Sequence, residues 1–199
     1  ELAGLTQDFI DGLEKTKDGL YKITLLDASS YMPVMENATS ASARKKVMTA
    51  HDRVAAAINV PLLEQAIGLR HSIATLMGYK NHAEKALESK MAKSPERVLN
   101  FLNELAVKLK PKAEQDLAEF LKLKQQDEPG ADKINMWDWR YYANKLKKER
   151  YTVDGERVRE YFPVDHVVQA VFDLYQTLLS VKFTEISPAY AWHPEVRLF

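Results

Sequence analysis

Hydrophobic residues along this chain recur mostly every three or four positions and only rarely every two. That spacing belongs to helices that bury one face. "LTQDFIDGLEKT" (5–16) predicts a short amphipathic helix with Thr6 as its N-cap. "LYKITLL" (20–26) reads as a short strand or an extended connector, and Ser30 can cap a helix through "YMPVMENA". From Ser40 to Ile58 the apolar residues Val47, Val54 and Ile58 share a face with His51. Asn59 and Pro61 mark a break, and 61–77 predicts the next helix, with Leu63, Ala66, Ile67, Ile73, Ala74 and Met77 inward. Gly78 suits its C-terminal cap, because a left-handed backbone costs glycine little.

Asn81 then caps "HAEKALESKMA". Ser94-Pro95 is a sharp helix start: the serine accepts from free N–H groups, and proline at the first helical position gives up no bond it needed. The series Val98, Leu102, Leu105, Leu109, Ala113, Leu117, Phe120 runs straight past Pro111. It predicts one helix of about 30 residues, kinked where the ring displaces the carbonyl four residues back. "QQDEPGAD" ends it as an exposed turn. "MWDWRYYANKLKKERY" (136–151) is a further helix, dense in aromatics; "VDGERVREYFP" holds a turn at Asp154-Gly155 and one short helix. Residues 164–181 predict a buried helix on Val164, Val168, Val171, Tyr175 and Leu178.

Only the C-terminus changes period. "VKFTEI" (181–186) and "EVRLF" (195–199) alternate apolar and polar, and "SPAYAWHP" joins them as a β-hairpin. The expected fold is mainly α, a multi-helix array with a small β-hairpin at its C-terminal edge. No repeat or linker divides it, so 1–199 reads as one helical piece, with helices to about 180 and the start of a small sheet over about 181–199. The chain opens at Glu1 without methionine and stops on a strand-like run, which suggests a piece of a longer protein.

Composition narrows the function. Lys plus Arg equals Asp plus Glu at 28 each, so no global field calls for nucleic acid or an anionic membrane. There is no cysteine, which excludes disulfides, a thiol nucleophile and thiolate metal sites. No apolar run is long enough to span a membrane. The absence of a visible signal peptide is compatible with a cytoplasmic location.

Candidate chemistry is sparse. The five histidines are His51, His71, His82, His166 and His193, and none begins a His-Glu-x-x-His. His82 is followed by Glu84 and Glu88, but Glu84 falls on nearly the opposite helix side and Glu88 nearly two turns away. Ordinary helix surface and capping explain these residues better than a metal. His51 reads as a hydrogen-bonded core histidine, His193 as loop packing, His166 as helix surface. Asp127-Glu128 lies in a loop with nothing to raise a pKa. No phosphate-cradling glycine loop, dinucleotide fingerprint or Gly-x-Ser-x-Gly is present. Lys145, Lys147, Lys148 and Arg150 beside Trp137, Trp139, Tyr141 and Tyr142 form a basic and aromatic cluster, but Glu149 among them argues against nucleic acid.

Several segments together resemble one family. "LRHSIATLMGYKNHAEKALESKMAKSPERVLNFLNEL" is similar to a family segment with Leu-Arg, then Leu-x-Gly-Tyr/Phe, Ala-Glu/Asp and Met-Ala-x-Ser. "WDWRYYANKLKKERYTVDGERVREYFP" resembles its Trp-Asp-x-x-Tyr-Tyr block and the Tyr-Phe-Pro that follows. "LYQTLLSVKFTEI" and "AWHPEVRLF" resemble the next two segments in the same order. The family is the thimet oligopeptidase, neurolysin, oligopeptidase A and dipeptidyl carboxypeptidase group of zinc metallopeptidases. The likeness covers roughly residues 20–199.

The resemblance implies a hydrolase of short peptides, mainly helical, with a deep channel and a zinc ion in the full-length parent. In such enzymes the His-Glu-x-x-His helix and the third zinc ligand lie downstream of "WHPEVRLF", so no catalytic or metal residue carries over to this sequence. The 199 residues alone are expected to hold no zinc and to be inactive. They would form channel-wall helices, with Arg140, Tyr141 and Tyr142 as candidates for facing peptide, since a polar-tipped aromatic suits a wet apolar wall. Packing between helices is the competing reading of the same residues. Exposed apolar faces in such a piece would favour dimerisation. The alternative function is a stand-alone, non-catalytic helical module that binds peptides or proteins.

Overall fold

The structure is a computed structural model that describes residues 1–187 and 190–199. Among the described residues the chain is helical, and it divides into two compact units, Glu1–Leu146 and Lys147–Phe199.

The first unit begins with α1 (Gln7–Asp11), capped by Thr6 as expected. Residues 14–22 fold back in a turn with one antiparallel bridge, Lys15 to Tyr21, so "LYKITLL" is a connector and not a strand. α2 (Ala28–Asn37) is capped by Asp27, not Ser30. The Asp27 carboxylate accepts from both the backbone N–H and the hydroxyl of Ser29, 2.9 and 2.7 Å away. A carboxylate also suits the positive end of a helix better than a hydroxyl does. α3 (Ala41–Asp52) is capped by Ser40 and packs on α2.

The break after α3 falls earlier than the sequence suggests. Arg53 and Val54 turn, Ala55 takes a left-handed backbone with φ of 54°, and α4 (Ala56–Leu76) runs through Pro61. Pro61 lies in the second turn, where it gives up one backbone bond without ending the helix. Of the α4 residues expected inward, Ala74 is buried, whereas Leu63, Ile67 and Ile73 are 48–58% exposed. α4 ends at Gly78, φ 86°, with Tyr79 N–H donating to Ala74 and Gly78 N–H to Thr75. Those paired bonds make a Schellman cap, in which the left-handed residue is normally glycine.

α5 (His82–Leu87) is capped by Asn81, which accepts from Glu84 N–H at 2.9 Å, while Glu84 accepts from Lys80 N–H. It packs between α4 and α6. α6 (Pro95–Asp127) is one helix of 33 residues, capped by Ser94 and containing Pro111. α7 is Trp139–Tyr151. The core of this unit gathers where α2 meets α3: Val34, Met35, Ala38, Ala43, Leu123 and Tyr142 are buried there with Arg44, Lys124 and Asp138.

In the second unit α8 (Gly155–Arg159) starts at Asp154, which caps it by accepting from Glu156 N–H. α9 (Val164–Leu179) has the expected extent but no buried residue; Val164, Leu174 and Leu178 are more than half exposed. Among the described residues of 181–199 no strand is found, so the expected hairpin is not supported. Among the described residues one bridge joins Ile186 to Leu198, with Glu185 and Arg197 paired beside it through two bonds of 2.8 and 2.9 Å. Two reasons are visible. Phe183 N–H is spent on the Gln176 side chain of α9, and Phe183 and Phe199 pack on Phe172. A two-stranded ribbon without a third strand or a covering helix has little stability of its own. The joining loop contains Pro188 and Ala189, which lie outside the described residues.

Candidate functional site

The densest polar chemistry surrounds Asp138, at the entrance to α7. Gly130, with φ of 94°, turns the chain back after α6 and lays 131–138 against the last turns of that helix. Lys124, on α6, donates to the Lys133 carbonyl at 3.2 Å and to Asp138 Oδ2 at 2.7 Å. Arg44, on α3, donates through Nη2 to Asp138 Oδ1 at 2.9 Å and through Nε to the Trp137 carbonyl at 2.9 Å. Its Nη1 reaches the carbonyls of Ala38 and Thr39. Asn135 adds a backbone and a side-chain bond to Asp138 Oδ2. Asp138 and Arg44 are 0 and 1% exposed, so neither charge is shared with solvent.

Two buried cations and one carboxylate would leave a net positive charge. Glu128, half exposed and 3.7 Å from the Lys124 ammonium, brings the local sum to neutrality. Burial pushes the Asp138 carboxyl up, but bonds from Lys124, Arg44 and Asn135 together outweigh it and hold the group below its ordinary value. Asp138 therefore stays ionised at neutral pH. Burial, reinforced by Asp127 and Glu128, drives the Tyr142 hydroxyl far above its usual range, so that group keeps its proton. Neither is poised near neutrality as a general acid or base should be. The network fixes backbone: one guanidinium gathers the α2–α3 link, and one carboxylate ties α3, α6 and the start of α7.

On this frame α7 presents its aromatic residues. Arg44 lies over the Tyr141 ring at 4.3 Å, and Tyr141 meets Tyr142 edge to face at 5.0 Å. Asn144 donates to the Glu36 carbonyl and to Asn37 Oδ1, tying α7 to the end of α2. Arg140 stacks on Trp139 at 4.4 Å, and Lys45 lies over Trp137 at 4.7 Å. Of the three residues singled out from sequence, Arg140 and Tyr141 are half-buried and keep exposed surface, while Tyr142 is enclosed at 2%.

The histidines are dispersed. His51 is half-buried, stacked on Tyr31 at 4.3 Å and bonded to its neighbour Asp52 at 3.0 Å. His82 is half-buried at the start of α5, with no partner for Nδ1 among the described residues. His71, His166 and His193 are exposed. Among the described residues no three His, Cys, Asp or Glu side chains come together to hold a metal. No described helix is long and apolar enough to cross a membrane. Two apolar cavities, of about 120 Å³ beside Leu5, Val34 and Val47 and about 290 Å³ beside Phe162, Val167 and Val171, bring no catalytic cluster together.

Sequence reasoning missed Arg44, Lys124, Asn135 and Asn144. Arg44 and Lys124 stand 94 and 14 positions from Asp138, with no local spacing to join them. The one local signal was the Asp of "WDWRYY", which had served only as part of the resemblance.

The sequence profile of peptidase family M3 matches residues 34–199. The chain belongs to that family. It is 32% identical over 212 aligned positions to oligopeptidase A of Escherichia coli (strain K12), an alignment that covers all of this chain and 31% of that protein. It is 31% identical to a probable thimet oligopeptidase of Arabidopsis thaliana, over all of this chain and 28% of the relative. It is 35% identical to saccharolysin of Saccharomyces cerevisiae, over 97% of this chain and 28% of the relative. The chain thus spans about a third of the length of the curated relatives it matches.

Proposed function

We propose that this chain forms part of the helical wall of a zinc-dependent oligopeptidase that hydrolyses short peptides in a deep channel. By themselves the 199 residues neither hold zinc nor cleave peptides. The observation that carries this reading is the family match over 34–199. Zinc ligands and the groups that activate water belong to other parts of the parent. Arg140 and Tyr141 face the peptide, and Tyr142 backs them from the core. The matched relatives are oligopeptidases about three times as long, which favours this reading over a stand-alone binding module.

The test uses the 199-residue chain as it is. After incubation with zinc and desalting, metal content is measured, and internally quenched short peptides are offered with and without chelator. The expected result is no stoichiometric zinc and no turnover. Tight zinc binding, or cleavage that a chelator abolishes, would overturn the proposal. A cytosolic location is part of the same reading; recovery in an organelle fraction, detected with an antibody to this chain, would contradict it.

A further inference from the structure

The dipeptide Asp-Gly occurs three times in the chain, at 11–12, 18–19 and 154–155. In such a pair the backbone nitrogen after the aspartate can reach the side-chain carboxyl, because glycine puts no Cβ in the way. The surroundings of the three pairs differ. Asp11 ends α1, where its carboxylate accepts from Gln7 Nε2 at 2.7 Å and Gly12 N–H is held by the Asp8 carbonyl at 3.1 Å. Asp154 is half-buried and fixed at the start of α8: its Oδ1 accepts from Glu156 N–H at 3.1 Å and lies 3.7 Å from the Lys148 ammonium. Each must give up side-chain bonds before its carboxyl can turn toward the next nitrogen.

Asp18 is exposed, and its carboxylate has no hydrogen bond or ion pair among the described residues. Gly19 is exposed as well, with φ of 76°, and beyond its chain neighbours no atom lies within 4 Å of where a Cβ would stand. Gly19 N–H donates to the Thr16 carbonyl at 3.0 Å, and Thr16 N–H to the Leu20 carbonyl at 2.8 Å. A left-handed glycine between those two bonds closes a three-residue hairpin loop through a bulge. Behind the loop, Lys22 N–H donates to the Glu14 carbonyl at 2.8 Å, and Tyr21 lines the cavity of about 120 Å³ beside Leu5, Val34 and Val47. The reacting nitrogen is thus held by one exposed turn bond, of the kind that opens most readily in a folded chain.

We propose that Asp18–Gly19 is a site of spontaneous aspartate isomerisation, and that the change undoes the 14–22 turn. The Gly19 nitrogen attacks Cγ of the Asp18 carboxylic acid. The hydroxyl of the acid leaves with the amide proton as water, and a cyclic imide closes. Water then adds to one of the two imide carbonyls and breaks its C–N bond. Opening at the side-chain carbonyl restores aspartate. Opening at the main-chain carbonyl leaves the backbone running through the Asp18 side chain, with a free α-carboxylate. The water released is regained, so no co-reactant is needed. The isomerised backbone is one methylene longer, which breaks the register of so short a loop.

The 199-residue chain is aged in mildly acidic buffer at physiological temperature, and isoaspartate at each of the three sites is quantified by peptide mapping with electron-transfer fragmentation. It should build up at Asp18 about fivefold or more faster than at Asp154, the factor that one lost cap bond represents, and faster also than at Asp11. Amide exchange at Thr16 and Lys22 should then be faster in the aged wild type than in the fresh protein. Aged Asp18→Glu should show no such change, because its longer side chain closes an imide far more slowly. Circular dichroism before ageing confirms that the variant is folded. Equal rates at the three sites, or a faster Asp11 or Asp154, would overturn the assignment. Isoaspartate at Asp18 with unchanged exchange at Lys22 would overturn the effect on the turn.

Discussion

Asp138 accepts hydrogen bonds from three residues that sit on three different stretches of chain, α3, α6 and the 131–138 loop. Replacing it by asparagine leaves Arg44 and Lys124 buried without their counter-charge. Breaking a buried pair in this way costs about 3–5 kcal/mol, more than the pair itself would add over a well-packed apolar substitute. Asp138→Asn should therefore lower the urea midpoint of the chain sharply, and an unchanged midpoint would show that the network is dispensable. The pH dependence carries a second signature. Because the folded value of the Asp138 carboxyl lies below its unfolded value, its contribution is fully present above about pH 4 and is lost as pH falls through the folded value. The wild type should thus lose stability steeply in acid, and Asp138→Asn should flatten that limb. None of this was legible in the sequence, since hydrophobic periodicity places a helix but not the charge that a distant helix will supply. Tyr142 shows the same limit: its place in an aromatic run was clear, but its burial was not.

At the level of elements, caps were read well and continuations less well. Thr6, Asn81, Ser94 and Gly78 do what their chemistry suggests, because capping is settled within three or four residues. Pro111 lies inside one continuous helix as expected, but Pro61 sits inside α4 instead of starting a helix, and the actual break at Ala55 carries no residue with a strong turn preference. The C-terminal segment shows how packing can override a strand pattern. Phe172 on α9 holds Phe199 at 4.5 Å and Phe183 at 5.0 Å between ring centres, and this aromatic cluster draws those two residues onto the helix. Phe172→Ala removes the shared partner of both rings. It should speed hydrogen exchange at the Ile186 amide, which now donates to the Leu198 carbonyl at 2.8 Å, while the middle of α9 stays helical. If Ile186 exchange does not change, the bridge and the Glu185–Arg197 pair hold the tail without the aromatics.

For the molecule as a whole, family membership was legible in ordered blocks of sequence, but the amount of apolar surface left uncovered was not. α4 is the clearest case. Ile58, Leu62, Leu69, Ile73 and Leu76 form one stripe along it and are 48–89% exposed. A helix with so apolar a face is ordinarily buried. If two copies met through this stripe in a symmetric pair, ten half-exposed side chains would be covered, worth roughly 1 kcal/mol each. Association itself costs an estimated ~4–15 kcal/mol, so the pair should be weak and its population should rise with protein concentration. Sedimentation velocity over a range of concentrations should show a shift from monomer toward dimer. Leu69→Glu, at a position 66% exposed, should restore the monomer without loss of helix, because no packing inside the chain depends on that side chain. Association that persists in Leu69→Glu would move the contact to α6 or α9, whose Leu102, Leu109, Leu174 and Leu178 are at least as exposed as Ile73. A monomer at every concentration would mean that the α4 stripe attracts too weakly to offset the cost of association.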